Sequence, residues 1–169
     1  MMNTELMFSS KDQTWTTPDD LFYMLNLEFK FTLDPCCYPE SAKCDYYFTP
    51  EVDGLKQSWA GHTVFMNPPY DNCYGWIEKA YMESTYNGAT VACLIPARTD
   101  TKYWHDYCMK ASEIRLFKGR IKFGVGVNSA PFPSALVIFR PGQNLPFLST
   151  MPANIKLENP VWINPVVVV

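Results

Sequence analysis

No C-x-x-C pair occurs in this chain, and no apolar stretch reaches the roughly 20 residues that a bilayer-spanning helix needs. No apolar run follows a basic start, so no secretory leader is expected. The expected compartment is cytoplasmic and reducing, and the 6 cysteines, at positions 36, 37, 44, 73, 93 and 108, are read as free thiols. A zinc site from Cys36, Cys37, Cys44 and His62 is set aside because the spacing matches no common zinc pattern, so no metal is expected. Internal repeats are absent. Positive charge is not in excess either: 14 Lys and Arg against 17 Asp and Glu leave a net charge of −3. On global balance that argues against a nucleic-acid partner.

What is present is core-forming material. Apolar residues make up 47% and aromatic residues 15% of 169 residues, the composition of one packed domain. Such a length buries roughly two-thirds of the unfolded surface. Charge is uneven along the chain. Arg98, Lys102, Lys110, Arg115, Lys118, Arg120 and Lys122 crowd one segment that holds only Asp100, Asp106 and Glu113 as acids. Two readings stand: a solvated charged face, or a strip that follows a phosphate backbone.

Residues 1–14 lack periodicity and read as a loose arm. Thr17-Pro18-Asp19-Asp20 opens a helix, with Thr17 as its cap, reaching about residue 27. Residues 29–33 alternate as a strand that stops at Asp34-Pro35, residues 46–48 form a short strand, and Asp53-Gly54 is a turn. Residues 63–66 and 90–95 are short apolar runs with the look of buried strands. Between them, Trp76, Ile77, Ala80 and Tyr81 recur at helical spacing, ended by Asn87-Gly88. Residues 100–109 predict a helix; 114–117 and 120–123 predict strands around Gly119; 135–139 predict a last buried strand. Strands alternating with helices imply an α/β fold with a mostly parallel, doubly wound sheet and an antiparallel hairpin at one edge. Residues 15–140 form the main body, and the proline-rich stretch 141–169 is an irregular tail or an extension packed on an edge.

One motif carries chemistry. Asn67-Pro68-Pro69-Tyr70 follows a buried strand, and in open α/β sheets ligands bind beyond the carboxyl ends of strands. Consecutive prolines fix φ and remove backbone donors while their carbonyls stay as acceptors. The Asn67 amide oxygen adds an acceptor and Tyr70 a flat ring. Such a loop suits an amino group on a flat heterocycle, whose lone pair is delocalised and must be drawn out of conjugation before it attacks. Direct attack on a methyl sulfonium then needs positioning and electrostatics rather than a metal or a covalent intermediate. His105, beside Trp104, is read as structural or surface.

Six features occur in one order: Trp15-x-Thr17-Pro18; Leu33-Asp34-Pro35; Asp53-Gly54-Leu55 with Trp59; Asn67-Pro68-Pro69-Tyr70; Pro96-Ala97-Arg98-Thr99-Asp100-Thr101; and Lys118-Gly119-Arg120-Ile121-Lys122-Phe123. In this the chain resembles the phage-type DNA adenine-N6 methyltransferases. The resemblance implies a seven-stranded Rossmann-like methyltransferase fold, S-adenosylmethionine as cofactor and DNA as partner, with a flipped adenine as substrate. Asn67, Pro68, Pro69 and Tyr70 would form the catalytic loop. Trp15, Thr17, Pro18, Asp34, Pro35 and Asp53 would border the cofactor, and Arg98, Lys118 and Arg120 would contact the substrate. Plainer roles stand beside these: Thr17 as a helix cap, and Asp34 and Asp53 as turn residues. One departure is the absence of glycine after Asp34-Pro35, where Cys36-Cys37-Tyr38 stands. The rival readings are methylation of cytosine N4, methylation of a protein glutamine, and a non-catalytic DNA- or protein-binding relic of the fold. Monomer and dimer are both compatible with the sequence.

Overall fold

The computed structural model describes residues 15–124, 129–142 and 147–154. Helix α1 spans Asp19–Phe29 and ends where Lys30 turns left-handed at φ 56°. Strand β1, Thr63–Met66, leads through the Asn-Pro-Pro-Tyr loop into α2, Cys73–Asn87. Strand β2, Thr90–Pro96, precedes the short α3, Lys102–Asp106. Strands β3, Glu113–Lys118, β4, Ser134–Phe139, and β5, Phe147–Pro152, complete one sheet in the order β1-β2-β4-β3-β5.

Four of the five strands point the same way. β1 runs parallel to β2 and β3 parallel to β5, while β4 is antiparallel to both β2 and β3. The antiparallel element is therefore interior, not the edge hairpin expected. Its partner is also different. Residues 120–123 form no strand, because Gly119 turns the chain at φ 98° and the alternating Ile121 and Phe123 become buried instead of joining a ladder. Among the described residues, the Ala130 N–H donates to the Ile121 carbonyl at 2.9 Å and the Asn154 Nδ2 to the Arg120 carbonyl at 3.2 Å, and these bonds hold that segment.

Other boundaries move for local reasons. α1 continues to Phe29, and Phe29 stacks on Phe31 at 5.2 Å, so the strand expected over 29–33 shrinks to a parallel bridge of Leu33 with Val64. The strand expected over 46–48 is one bridge, Asp34 with Tyr47. The helix expected over 100–109 stops at Asp106 and resumes as a 3-10 turn, Cys108–Lys110. The extension after Gly142 packs on an edge as β5. The arm 1–14 and the end of the tail lie outside the described residues.

Period-two alternation sends side chains to two cores. Ala135, Val137 and Phe139 of β4 join Trp59, Trp76, Ile77 and Val91 on the α2 side. Leu136 and Ile138 join Leu21, Leu25, Phe65 and Leu94 on the α1 side. Both faces of the sheet are covered, which explains why β2 and β4 are continuous apolar runs. Arg115 ties α1 to β3 through a two-pronged bond to Glu28, at 2.7 and 2.6 Å. Among the described residues, no helix is long and apolar enough to cross a membrane, and no group of three His, Cys, Asp or Glu side chains could hold a metal ion.

The strand directions gather the functional segments. Asp34 after the Leu33 bridge, Asn67 after β1, Arg98 after β2 and Gly119 after β3 all leave the sheet at one rim. β4 enters at that same rim, where the Ala97 N–H donates to the Pro133 carbonyl at 2.8 Å.

Candidate active site

Met66, the last residue of β1, is fully buried, so the chain leaves the core directly into Asn67. Pro68 is buried and Pro69 exposed, and Tyr70 begins a 3-10 turn, Tyr70–Asn72, that feeds α2. Asn72 caps α2 by accepting the Gly75 N–H at 3.4 Å. The Asn-Pro-Pro-Tyr loop is thus clamped between a buried strand and a capped helix.

The Asn67 side chain is held at every polar atom. Its Nδ2 donates to the Trp15 carbonyl at 2.8 Å and to the Thr17 Oγ1 at 3.1 Å. Its Oδ1 accepts from the Tyr70 hydroxyl at 3.1 Å. Thr17 is therefore not the cap of α1: Pro18 occupies that position with no side-chain cap bond. The Thr17 hydroxyl, one residue before the cap position, faces the Asn-Pro-Pro-Tyr loop instead and accepts from Asn67.

The Tyr70 ring lies 6.1 Å from Trp15 and 5.3 Å from Phe132, edge to face with the latter. Trp15 in turn meets Phe132 at 5.1 Å and Phe123 at 5.6 Å. Beside this cluster a small cleft, open to solvent, is lined by Trp15, Tyr70, Arg98, Pro131 and Phe132. Burial, then the neighbouring Cys73 and Cys36 thiols, pushes the Tyr70 phenol well above its usual range, so it stays a donor.

Asp34 is buried and turns its oxygens to backbone: Oδ1 accepts the Cys36 N–H at 3.4 Å and Oδ2 the Lys43 N–H at 3.1 Å. Burial pushes its carboxyl up to about 6, against the lowering effect of those two bonds. Asp53 sits in the left-handed region at φ 56°, accepts the Leu55 N–H at 3.3 Å and pairs with Lys56 at 2.9 Å. Both residues thus perform the plainer turn role. Gly54 packs against the Pro35 carbonyl, and the Trp59 indole N–H donates to the Gly54 carbonyl at 2.9 Å. Two of the six features, separate in sequence, thus form one unit.

All six thiols are pushed up, desolvation being the first cause in each, so none is a thiolate nucleophile. The Cys36 thiol rests against the backbone N–H of Asn67.

The basic segment divides. Arg115 is engaged by Glu28 and Glu113, Lys102 by Asp106, and Lys110 lies over the Tyr81 and Tyr107 rings at 5.4 and 5.6 Å. Arg98 lines the cleft, and Lys118, Arg120 and Lys122 are exposed at the rim with no carboxylate partner among the described residues. His105 is exposed. Phe132 and Pro131 were not anticipated as site residues; an aromatic flanked by prolines ahead of a buried strand is the signal that marks them. Gly54 was read as a turn residue and as part of the Asp53-Gly54-Leu55 feature, without its contact to Pro35.

The profile of the DNA N-6-adenine-methyltransferase (Dam) family matches residues 3–156. The chain is 30% identical over 150 residues to the DNA N-6-adenine-methyltransferase of Haemophilus phage HP1, covering 83% of this chain and 86% of that protein. It is 28% identical over 102 residues to the DNA N-6-adenine-methyltransferase of Escherichia phage T1, covering 59% of this chain and 42% of that protein. A match that runs through the sheet, the acceptor loop and the basic rim makes the chain a member of the DNA N-6-adenine-methyltransferase family.

Proposed function

We propose that this protein methylates the exocyclic N6 amine of adenine in DNA, with S-adenosylmethionine as donor and Asn67-Pro68-Pro69-Tyr70 as catalytic loop. The observation that carries the reading is the Asn67 amide, whose two N–H groups are engaged at Trp15 and Thr17 while its oxygen faces Tyr70. An amide oxygen accepts two hydrogen bonds, so one place is left for a substrate N–H.

The adenine amine is a weak nucleophile because its lone pair is shared with the ring. Acceptors at Asn67 Oδ1 and the Pro68 carbonyl would grip its hydrogens and favour the pyramidal form that can attack. Preorganised acceptors of this kind typically contribute a few kcal/mol to a transition state. Tyr70 would stack on the base, with Trp15 and Phe132 as the adjoining aromatic walls. A paired adenine cannot reach the cleft, so the nucleotide would be flipped out. Arg98, Lys118 and Arg120 would hold phosphates. The amine proton leaves after transfer, so the mechanism asks for no strong base, and Tyr70 remains protonated throughout.

The residues present suit the cofactor. Asp53, half-buried and paired with Lys56, would use its remaining acceptor positions for a ribose or adenine group, and the buried Asp34 with Pro35 lies one strand from Asn67. Trp15, Thr17 and Pro18 would border the methionine part. When bound, the cofactor supplies a methyl on a positively charged sulfur. The fold is read as Rossmann-like, with residues 15–140 as the catalytic body acting in a host cytoplasm.

Incubating the protein with unmethylated DNA and S-adenosylmethionine, then digesting to nucleosides, tests the reading. N6-methyladenine is expected with the natural sequence and is lost in Asn67→Ala. N4-methylcytosine, or full activity of the Asn67→Ala variant, would refute it.

A further inference from the structure

We infer that Thr17, acting with the Trp15 carbonyl, is a positioning residue that sets the orientation of the Asn67 amide. The inference rests on the reading of Asn67 as the acceptor for the substrate amine, and it gives Thr17 a role beyond bordering the cofactor.

The two ends of a carboxamide have nearly the same shape, so sterics alone do not choose between them. Partners do. The Trp15 carbonyl can only accept, and at 2.8 Å it requires the nitrogen of Asn67 to face it. Thr17 Oγ1 takes the second hydrogen of that nitrogen at 3.1 Å. The oxygen must then lie on the opposite side, where the Tyr70 hydroxyl meets it. Both partners are distant in sequence, at 52 and 50 residues, so this is a tertiary lock between the start of α1 and the catalytic loop.

The usual duty of a threonine before a helix is missing here. α1 is capped at Pro18 without a side-chain bond, and Thr17 is only 3% exposed. A hydroxyl that neither caps the helix nor meets solvent is oriented by, and orients, the amide it touches. Losing it would leave one Asn67 hydrogen unsatisfied and free the amide to tilt or turn over. Small misplacements of a reacting geometry cost on the order of 100-fold in rate.

The test uses the whole protein with Thr17→Val, which keeps shape and removes the acceptor, and Thr17→Ser, which keeps the hydroxyl. Steady-state methylation of DNA is measured beside a calorimetric titration with S-adenosylmethionine. The expected result is a kcat about 10- to 100-fold lower in Thr17→Val, with the cofactor Kd within about 3-fold, and recovery to within a few-fold in Thr17→Ser. Added to Asn67→Ala, Thr17→Val has little further effect. If Thr17→Val melts early, Thr17→Ala gives the same split. An unchanged kcat, or a raised cofactor Kd with kcat intact, overturns the inference. Retained activity in Asn67→Ala alone would instead overturn the reading of the loop, whatever the Thr17 variants do.

Discussion

The backbone of Gly54 lies so close to the carbonyl oxygen of Pro35 that a β-carbon added at position 54 would overlap it, with Trp76 closing the far side at 3.3 Å. The turn that bears Asp53 and the loop that bears Asp34 and Pro35 are therefore in direct contact through a position where only glycine fits.

Gly54→Ala is expected to push these loops apart. Overpacking of this kind costs about 1–3 kcal/mol. Thermal melting should show the loss, and cofactor affinity should fall with it because Asp34 and Asp53 shift together. A variant as stable as the natural protein would mean that the two loops part without cost.

Asn67→Asp separates orientation from acceptor chemistry. A carboxylate keeps oxygens for a substrate amine, yet it has no hydrogen to give the Trp15 carbonyl, which it would meet as a second acceptor. The expected outcome is a folded but destabilised protein with kcat reduced about 100-fold or more, read from methyl incorporation and melting. Wild-type turnover in this variant would show that the clamp is dispensable.

Asp34 makes stability depend on pH with an unusual sign. Its carboxyl is held up at about 6 in the folded chain against 3.8 for the free group, so between those values the folded state binds more protons than the unfolded one. Ionised Asp34 weakens the fold, and its contribution improves as pH falls from about 6.5 to about 4, on the order of 1 kcal/mol per pH unit. Denaturant midpoints measured across that window should rise toward acid relative to Asp34→Asn, in which the slope from this site vanishes. Equal slopes in the two proteins would contradict the assignment.

The cations at the rim should be distinguishable by salt. Arg98→Ala, Lys118→Ala and Arg120→Ala should each reduce the slope of log affinity for DNA against log salt by about 1. Lys110→Ala, whose ammonium lies over the Tyr81 and Tyr107 rings, should leave it unchanged. Fluorescence anisotropy with a labelled duplex at several ionic strengths measures the difference.

Much of this was legible from residue patterns. Thr63–Met66 is a strand as its apolar run before two prolines dictates, and α2 follows its 3.6-residue spacing to the Asn87-Gly88 stop. The edge was harder to read. Ile121 and Phe123 alternate like a strand, but alternation reports burial on one side, and here that side is a packed loop. Thr17 was misread as a cap because local sequence cannot show a partner 50 residues away. Arg115 belonged to a basic segment with two open readings for the same reason: its partner Glu28 is 87 residues distant. The prolines around Phe132 mark a turn but not its neighbour, and the reversed direction of β4 brings it to Tyr70.

That reversal has an engineering consequence. Because β3 ends and β4 begins at the same border of the sheet, the connection between Lys118 and Ser134 starts and finishes above the cleft. Lengthening it would build new surface at that border without disturbing the ladder between β3 and β4.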